Sequence, residues 1–411
     1  MNLYLLFILS FLIFEYLLDT YSKYLNVYSL RLALPDEFVG FYDSEKYKCS
    51  QKYTIDNSKF NLAVSSINVF ITITFILIGG FNYLDIFLRK IIINNEIILG
   101  LSYFAILIIL NTIISLPISF YSTFYIEEKY GFNKSSKKLF FIDQIKGLII
   151  SIFLGSIILF MILNFFMFFG KNAWIYSWII MSIFIISMPI IYVNWIAPLF
   201  NKFTKLGDGE LKNQINKYST KVEFPLKEIF VIDGSKRSSH SNAYFTGFGK
   251  NKRIVLFDTL LDKHSNKEIV SIIAHEVGHY KKKHIFYNTI ISILMIGIML
   301  FCLSLFIDNN YLFQAFQMQH VSIYAGIIFF SILYSPINFI LGIIMNYFSR
   351  MNEFQADKYS IETTKDKNNL ILALKNLSIS NLSNLTPHKF YVWLNYSHPP
   401  VLNRIEAIKK H

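Results

Sequence analysis

The residues of this sequence best suited to chemistry are His275-Glu276-Val277-Gly278-His279. On a helix, side chains at i and i+4 share a face. Both imidazoles can therefore reach one cation about 2.0–2.1 Å from each nitrogen. Glu276, beside the first histidine, is placed to take a proton from a water held on that cation. A catalytic zinc needs a third protein ligand and a position left open for water. No third histidine follows at the metzincin spacing, so that ligand must come from elsewhere. The best candidate is Glu353, in Glu353-Phe354-Gln355-Ala356-Asp357. It follows an apolar stretch and lies on the same expected membrane face as His275. Asp357, one helical turn on, can hold a ligating imidazole through its other ring nitrogen.

The elements that must position these residues are legible around them. Ser265 followed by Glu268 is a capping box. It predicts a helix from Ser265 through Ile269, Ile272 and Ile273 towards Lys281. Upstream, Glu210–Ser219 has helical spacing, and Ile229–Ile232 and Arg253–Phe257 read as short strands. Between them, Gly234–Gly249 reads as a turn and an irregular edge. Asp19–Phe60 is a second polar region, a loop excursion with a helix start at Pro35-Asp36-Glu37.

Most of the remaining chain is apolar. Hydrophobic residues make up 54% and charged residues 16%, against about 25% charged in a soluble domain. A helix needs roughly 20 apolar residues to cross a bilayer. Such stretches fall at Leu3–Leu18, Leu62–Leu84, Ile97–Phe120, Leu148–Phe169, Ala173–Trp195, Ile285–Phe306 and Val321–Phe348. The first is short and contains Glu15. A signal peptide is the other reading there, but no basic start or small-residue cleavage site supports it. The expected fold class is a mainly α, polytopic membrane protein of about seven transmembrane helices. The expected organisation is residues 1–200 with spans 1–5, 201–284 as a small α+β zincin-type subdomain, 285–348 with spans 6–7, and 349–411 carrying the third ligand.

Net charge is +12, from 39 Lys and Arg against 27 Asp and Glu. In a multispanning protein such charge gathers in cytoplasmic loops. Ile307–His320 has no Lys or Arg, whereas Lys281, Lys282, Lys283 and Arg350 flank the other side. That places 202–284 and the C-terminal tail in the cytosol, and Lys129, Lys134, Lys137 and Lys138 agree. Arg89 and Lys90 fall on the opposite side. The charge is read as topology first and affinity for anionic membrane lipid second, with no nucleic-acid partner. Cys49 and Cys302 form neither a CxxC pair nor a disulfide framework.

Longer runs carry a resemblance. Gly234–Phe245, Lys250–Leu261, His275–His279, Glu353–Asp357 and Ser397-His398-Pro399-Pro400 closely resemble the zinc-dependent CAAX prenyl proteases, as do Glu127–Asn133 and Pro198-Leu199-Phe200. The resemblance implies a seven-span protease whose helices enclose a chamber capped by the zinc domain. Its substrate would be a prenylated protein ending in C-a-a-X, losing its last three residues. It implies one Zn2+ on His275, His279 and Glu353, with Glu276 as base and His398 beside the scissile bond. Arg404 would partner Asp357. Asn242, with its strand neighbour Tyr244, would bind substrate by strand addition. It also implies the endoplasmic reticulum, extending to the inner nuclear membrane. His240, His264, His284, His320, His388 and His411 read as ordinary residues. The rival enzyme reading is a membrane quality-control zinc protease of the heat-shock type, shorter and with fewer spans. A transporter with a structural metal would need all four positions closed by protein, and no fourth ligand is found.

Overall fold

The computed structural model describes residues 2–31, 33–247 and 252–411. Residues 248–251, which end the glycine-rich connection and begin the Lys250–Leu261 run, lie outside the described residues.

Apolar helices dominate. Among the described residues, five stretches are long and apolar enough to cross a membrane: Leu3–Tyr28, Ser44–Leu77, Glu96–Glu127, Lys137–Phe200 and His284–Phe306. The 64-residue Lys137–Phe200 stretch holds two helices, Lys137–Phe169 and Ala173–Ile191, joined by a three-residue turn. Phe169 stacks on Tyr176 across that turn at 4.1 Å, so the chain reverses there. A sixth span by length is a bent pair, Ile323–Leu333 and Ser335–Thr364, turned by 53°. Pro336 enters the second helix at its start, where its missing N–H breaks no helical bond. With the hairpin counted as two helices and the bent pair as one, the described residues hold seven candidate spans, in keeping with the number expected from the sequence. Only 6–22% of the apolar window in each long span is buried.

Several boundaries differ from those the sequence predicts. The first helix continues past Leu18 to Tyr28. The second begins at Ser44, inside the expected loop excursion, where Asp43 caps it. It ends at Leu77, because Gly79 takes a left-handed φ of 70° and starts a separate helix, Gly80–Ile91, within the expected Leu62–Leu84 span. Pro35-Asp36-Glu37 gives only one short helical turn, Asp36–Phe38. The seventh span does not stop at Phe348. Its helix runs on to Thr364, out of the membrane and into the polar region.

Arg89 is not a free loop charge. It pairs with Asp85 at 2.9 Å and Glu96 at 2.7 Å, and donates to the Tyr324 hydroxyl at 3.0 Å.

The polar region carries a four-stranded sheet in the order β1-β2-β4-β3, with β1 at Phe203–Lys205, β2 at Leu226–Ile232, β3 at Ala243–Thr246 and β4 at Lys252–Phe257. β2 and β4 are parallel, and the outer strands are antiparallel to them. The expected irregular edge therefore contains a true edge strand, β3. Helix Asn266–Lys281 covers the sheet. Its Ile269, Ile273, Ala274 and Val277 pack with Ile229, Ile254, Leu256 and Ala243 in one buried core. The opposite face of that helix is left to the histidines.

Candidate metal centre and active site

Helix Asn266–Lys281 starts as its sequence requires. The Ser265 hydroxyl accepts from the Glu268 amide at 3.4 Å and bonds the Glu268 carboxylate at 3.0 Å. His264 at 2.8 Å and Asn376 at 3.0 Å fix that carboxylate further. A helix anchored at one end holds its ligand face in register two turns later.

The second ligand helix is the continuation of the seventh span. The two helices approach closely because Gly278 has no side chain. A Cβ there would sit 3.1 Å from both the Cα and the carbonyl oxygen of Ala356. The Ser360 hydroxyl, buried between the helices, donates to the Ser271 carbonyl at 2.9 Å. This approach brings Glu353 and Asp357 against His275 and His279.

The donor atoms converge. His275 Nε2 and His279 Nε2 are 3.1 Å apart. They lie 3.4 and 3.3 Å from the Glu353 oxygens. Bonds of about 2.0–2.2 Å in a tetrahedron separate neighbouring donors by about 3.3–3.6 Å, so the three positions fit one metal ion. Glu353 Oε2 is buried and has no hydrogen-bond donor in bonding geometry among the described residues. A cation would satisfy it. On the far side of the ring, His275 Nδ1 lies 2.8 Å from Asp357 Oδ1. Arg404 grips Asp357 from helix Val401–Lys410, at 2.8 Å through Nε and 2.6 Å through Nη2. Its Nη1 lies 3.3 Å from Glu353. Burial disfavours an imidazolium at His275, yet the hydrogen bonds with Asp357 and Glu353 raise its pKa to about 9. The pocket thus attracts positive charge, whether a proton or a metal. Burial also raises the pKa of Glu276, partly opposed by His275 and His279.

The two halves of the chain match known proteins together. Residues 23–202 match the model of the CAAX prenyl protease N-terminal region with five membrane helices, and residues 205–411 match peptidase family M48. A CAAX prenyl protease 1 homolog of Oryza sativa is 37% identical over 99% of this chain and 97% of its own length. CAAX prenyl protease 1 of Saccharomyces cerevisiae is 34% identical over 98% and 94%. The crystal structure of S. mikatae Ste24p superposes with a TM-score of 0.93 at 34% identity, covering 99% of both chains. The chain belongs to peptidase family M48, in its CAAX prenyl protease branch. It is an integral membrane metalloendopeptidase.

Around the metal centre of this M48 chain, His398 presents Nε2 3.3 Å from Glu353 Oε1 while staying largely exposed. Although exposed, the ring loses some hydration to the protein around it, and this partial desolvation lowers its pKa more than Glu353 raises it. Asn242 is exposed and immediately precedes β3, and its carbonyl accepts from the Phe257 amide at 3.1 Å. Tyr244 lies within β3, at the open edge of the sheet. β3 packs on the apolar face of the helix that carries His275 and His279.

One neighbour of the centre looks ordinary in the sequence. His284 is buried, with Nδ1 3.0 Å from His279 Nδ1 and Nε2 3.2 Å from Gln355 Oε1. It sits five residues beyond His279, off the i+4 face, and reaches back only because Lys283 takes a left-handed φ of 61°. A lone histidine after three lysines gives no sign of that turn.

Proposed function

We propose that this protein removes the last three residues of prenylated proteins ending in C-a-a-X. The observation that carries this reading is that the similarity to proteins named CAAX prenyl protease runs through both halves, 98–99% of this chain, rather than through the peptidase half alone. A heat-shock-type quality-control protease, shorter and with fewer spans, is correspondingly disfavoured.

His275, His279 and Glu353 would hold one zinc ion, with Asp357 and Arg404 behind His275. Bound zinc would polarise the scissile carbonyl and bring its water's pKa to about 7. The Glu276 carboxylate accepts the proton of the attacking water and delivers it to the departing amine. His398 donates a hydrogen bond to the oxygen that gains charge. The edge formed by Asn242 and Tyr244 pairs with the extended substrate backbone. The prenyl chain rests among apolar walls, each buried CH₂ contributing about 0.8 kcal/mol. We place the protein in the endoplasmic reticulum and the contiguous inner nuclear membrane, with the peptidase part facing the cytosol.

The test is cleavage of a farnesylated C-a-a-X peptide by the detergent-purified chain beside Glu276→Gln. Tripeptide release by the wild type alone is expected. Release by both proteins, or cleavage only of unprenylated unfolded chains, would defeat the proposal.

A further inference from the structure

We infer that His284 and Gln355 form a relay that fixes the tautomer of His279, a positioning device beyond the ligands and the base. The inference rests on the reading that His279 binds a metal ion. Its starting point is a contact between two like atoms. His279 Nδ1 and His284 Nδ1 stand 3.0 Å apart, with ring centroids at 5.1 Å and planes 73° apart. Two neutral imidazoles can share a hydrogen bond there only if one nitrogen carries a proton and the other a lone pair.

Which nitrogen carries it decides whether His279 can bind metal. A ligating Nε2 must present its lone pair, so Nδ1 must hold the proton and donate it. His284 must then accept at Nδ1 and carry its own proton on Nε2. Gln355 Oε1 lies 3.2 Å from that nitrogen and accepts it. The relay runs in one direction, from His279 to His284 to Gln355. Reversing it would put a proton on His279 Nε2 and close that position to metal. The mirror arrangement at His275 uses a carboxylate, Asp357, which can only accept. His279 instead has a neutral histidine, which could point either way, and Gln355 supplies the bias.

The backbone is built for this contact. The His275 helix ends at Lys281, Lys283 turns left-handed, and His284 opens the sixth span with its ring buried at 5% exposure. Gln355 comes from the other ligand helix, two residues after Glu353. The relay thus ties both ligand helices to the start of a span.

The experiment measures zinc affinity of the detergent-purified full chain by competition with a chelating dye, together with the visible spectrum of the cobalt-loaded protein. His284→Leu is expected to weaken zinc binding about 10- to 100-fold, the usual range for a lost partner of a ligating histidine, and to alter the cobalt spectrum. Gln355 is exposed, so its variants test direction without disturbing the core. Gln355→Glu, which can still accept, should keep wild-type affinity and spectrum. Gln355→Leu, which cannot, and Gln355→Lys, which can only donate, should both weaken binding. Wild-type affinity in His284→Leu, or equal affinity across the Gln355 variants, would overturn the inference. His279→Ala separates the two levels: if it leaves zinc binding intact, the metal reading itself fails, and if it alone weakens binding, only the relay fails.

Discussion

Arg404 neutralises the two carboxylates that organise the metal centre. It forks onto Asp357 at 2.6 and 2.8 Å and stands 3.3 Å from Glu353, with its own side chain only 12% exposed. Removing one partner of a buried ion pair strands the other, at a cost of about 3–5 kcal/mol. Arg404→Leu should therefore lower the Tm markedly. Arg404→Lys should recover little, because an ammonium cannot reproduce a planar fork. A melting curve unchanged in Arg404→Leu would mean that the carboxylates find compensation elsewhere.

Two helices make the centre, and their separation is set by Gly278. Gly278→Ala improves helix propensity by about 1 kcal/mol, so propensity alone predicts a gain. The added methyl would meet Ala356 backbone at 3.1 Å and push the Glu353 helix outward by a few tenths of an ångström. Misplacement of catalytic groups is felt steeply, so zinc affinity and turnover should fall about tenfold while Tm changes little. Unchanged turnover would show that the helix pair has slack. The His275 helix is legible in the sequence, because capping box, apolar face and His spacing are all local signals. Helix Asn266–Lys281 begins where Ser265 and Glu268 predict. The Glu353 helix is half legible. Hydropathy marks where lipid ends near Phe348, but backbone hydrogen bonding continues to Thr364 regardless of solvent. β3 is hidden in a glycine- and serine-rich stretch, since its extended form comes from pairing with β4 rather than from local propensity. The role of His284 is hidden for a similar reason: its partner depends on one left-handed residue and on a helix 71 positions away.

At the scale of the whole molecule, the proposed function requires the peptidase part to sit at a fixed height over the membrane part, so that the β3 edge would meet a substrate anchored in lipid. The contacts that fix it cluster just before β3. Asn133 bridges Ser238, the Lys134 amide donates to the Arg237 carbonyl at 3.0 Å, and Phe132 stacks on His240 at 4.1 Å. Glu127, at the end of the third span, accepts from Tyr53 at 2.6 Å and lies 3.3 Å from His240. The strongest clamp is Arg237, which forks onto Asp143 of helix Lys137–Phe169 at 2.7 and 3.0 Å and also donates to Asn201 at 2.8 Å. These groups are partly exposed, so the loss on breaking the fork is discounted to about 1–3 kcal/mol. Arg237→Lys keeps the charge but loses the bidentate geometry. It should lower the Tm modestly and raise KM for a membrane-inserted prenylated peptide, with zinc content unchanged, because the clamp sets the edge strand and not the metal. Loss of zinc in Arg237→Lys would show instead that the clamp and the metal centre are one cooperative unit. A KM equal to that of the wild type would show that the β3 edge is held by the sheet alone, and that docking to the fourth span is dispensable for substrate capture.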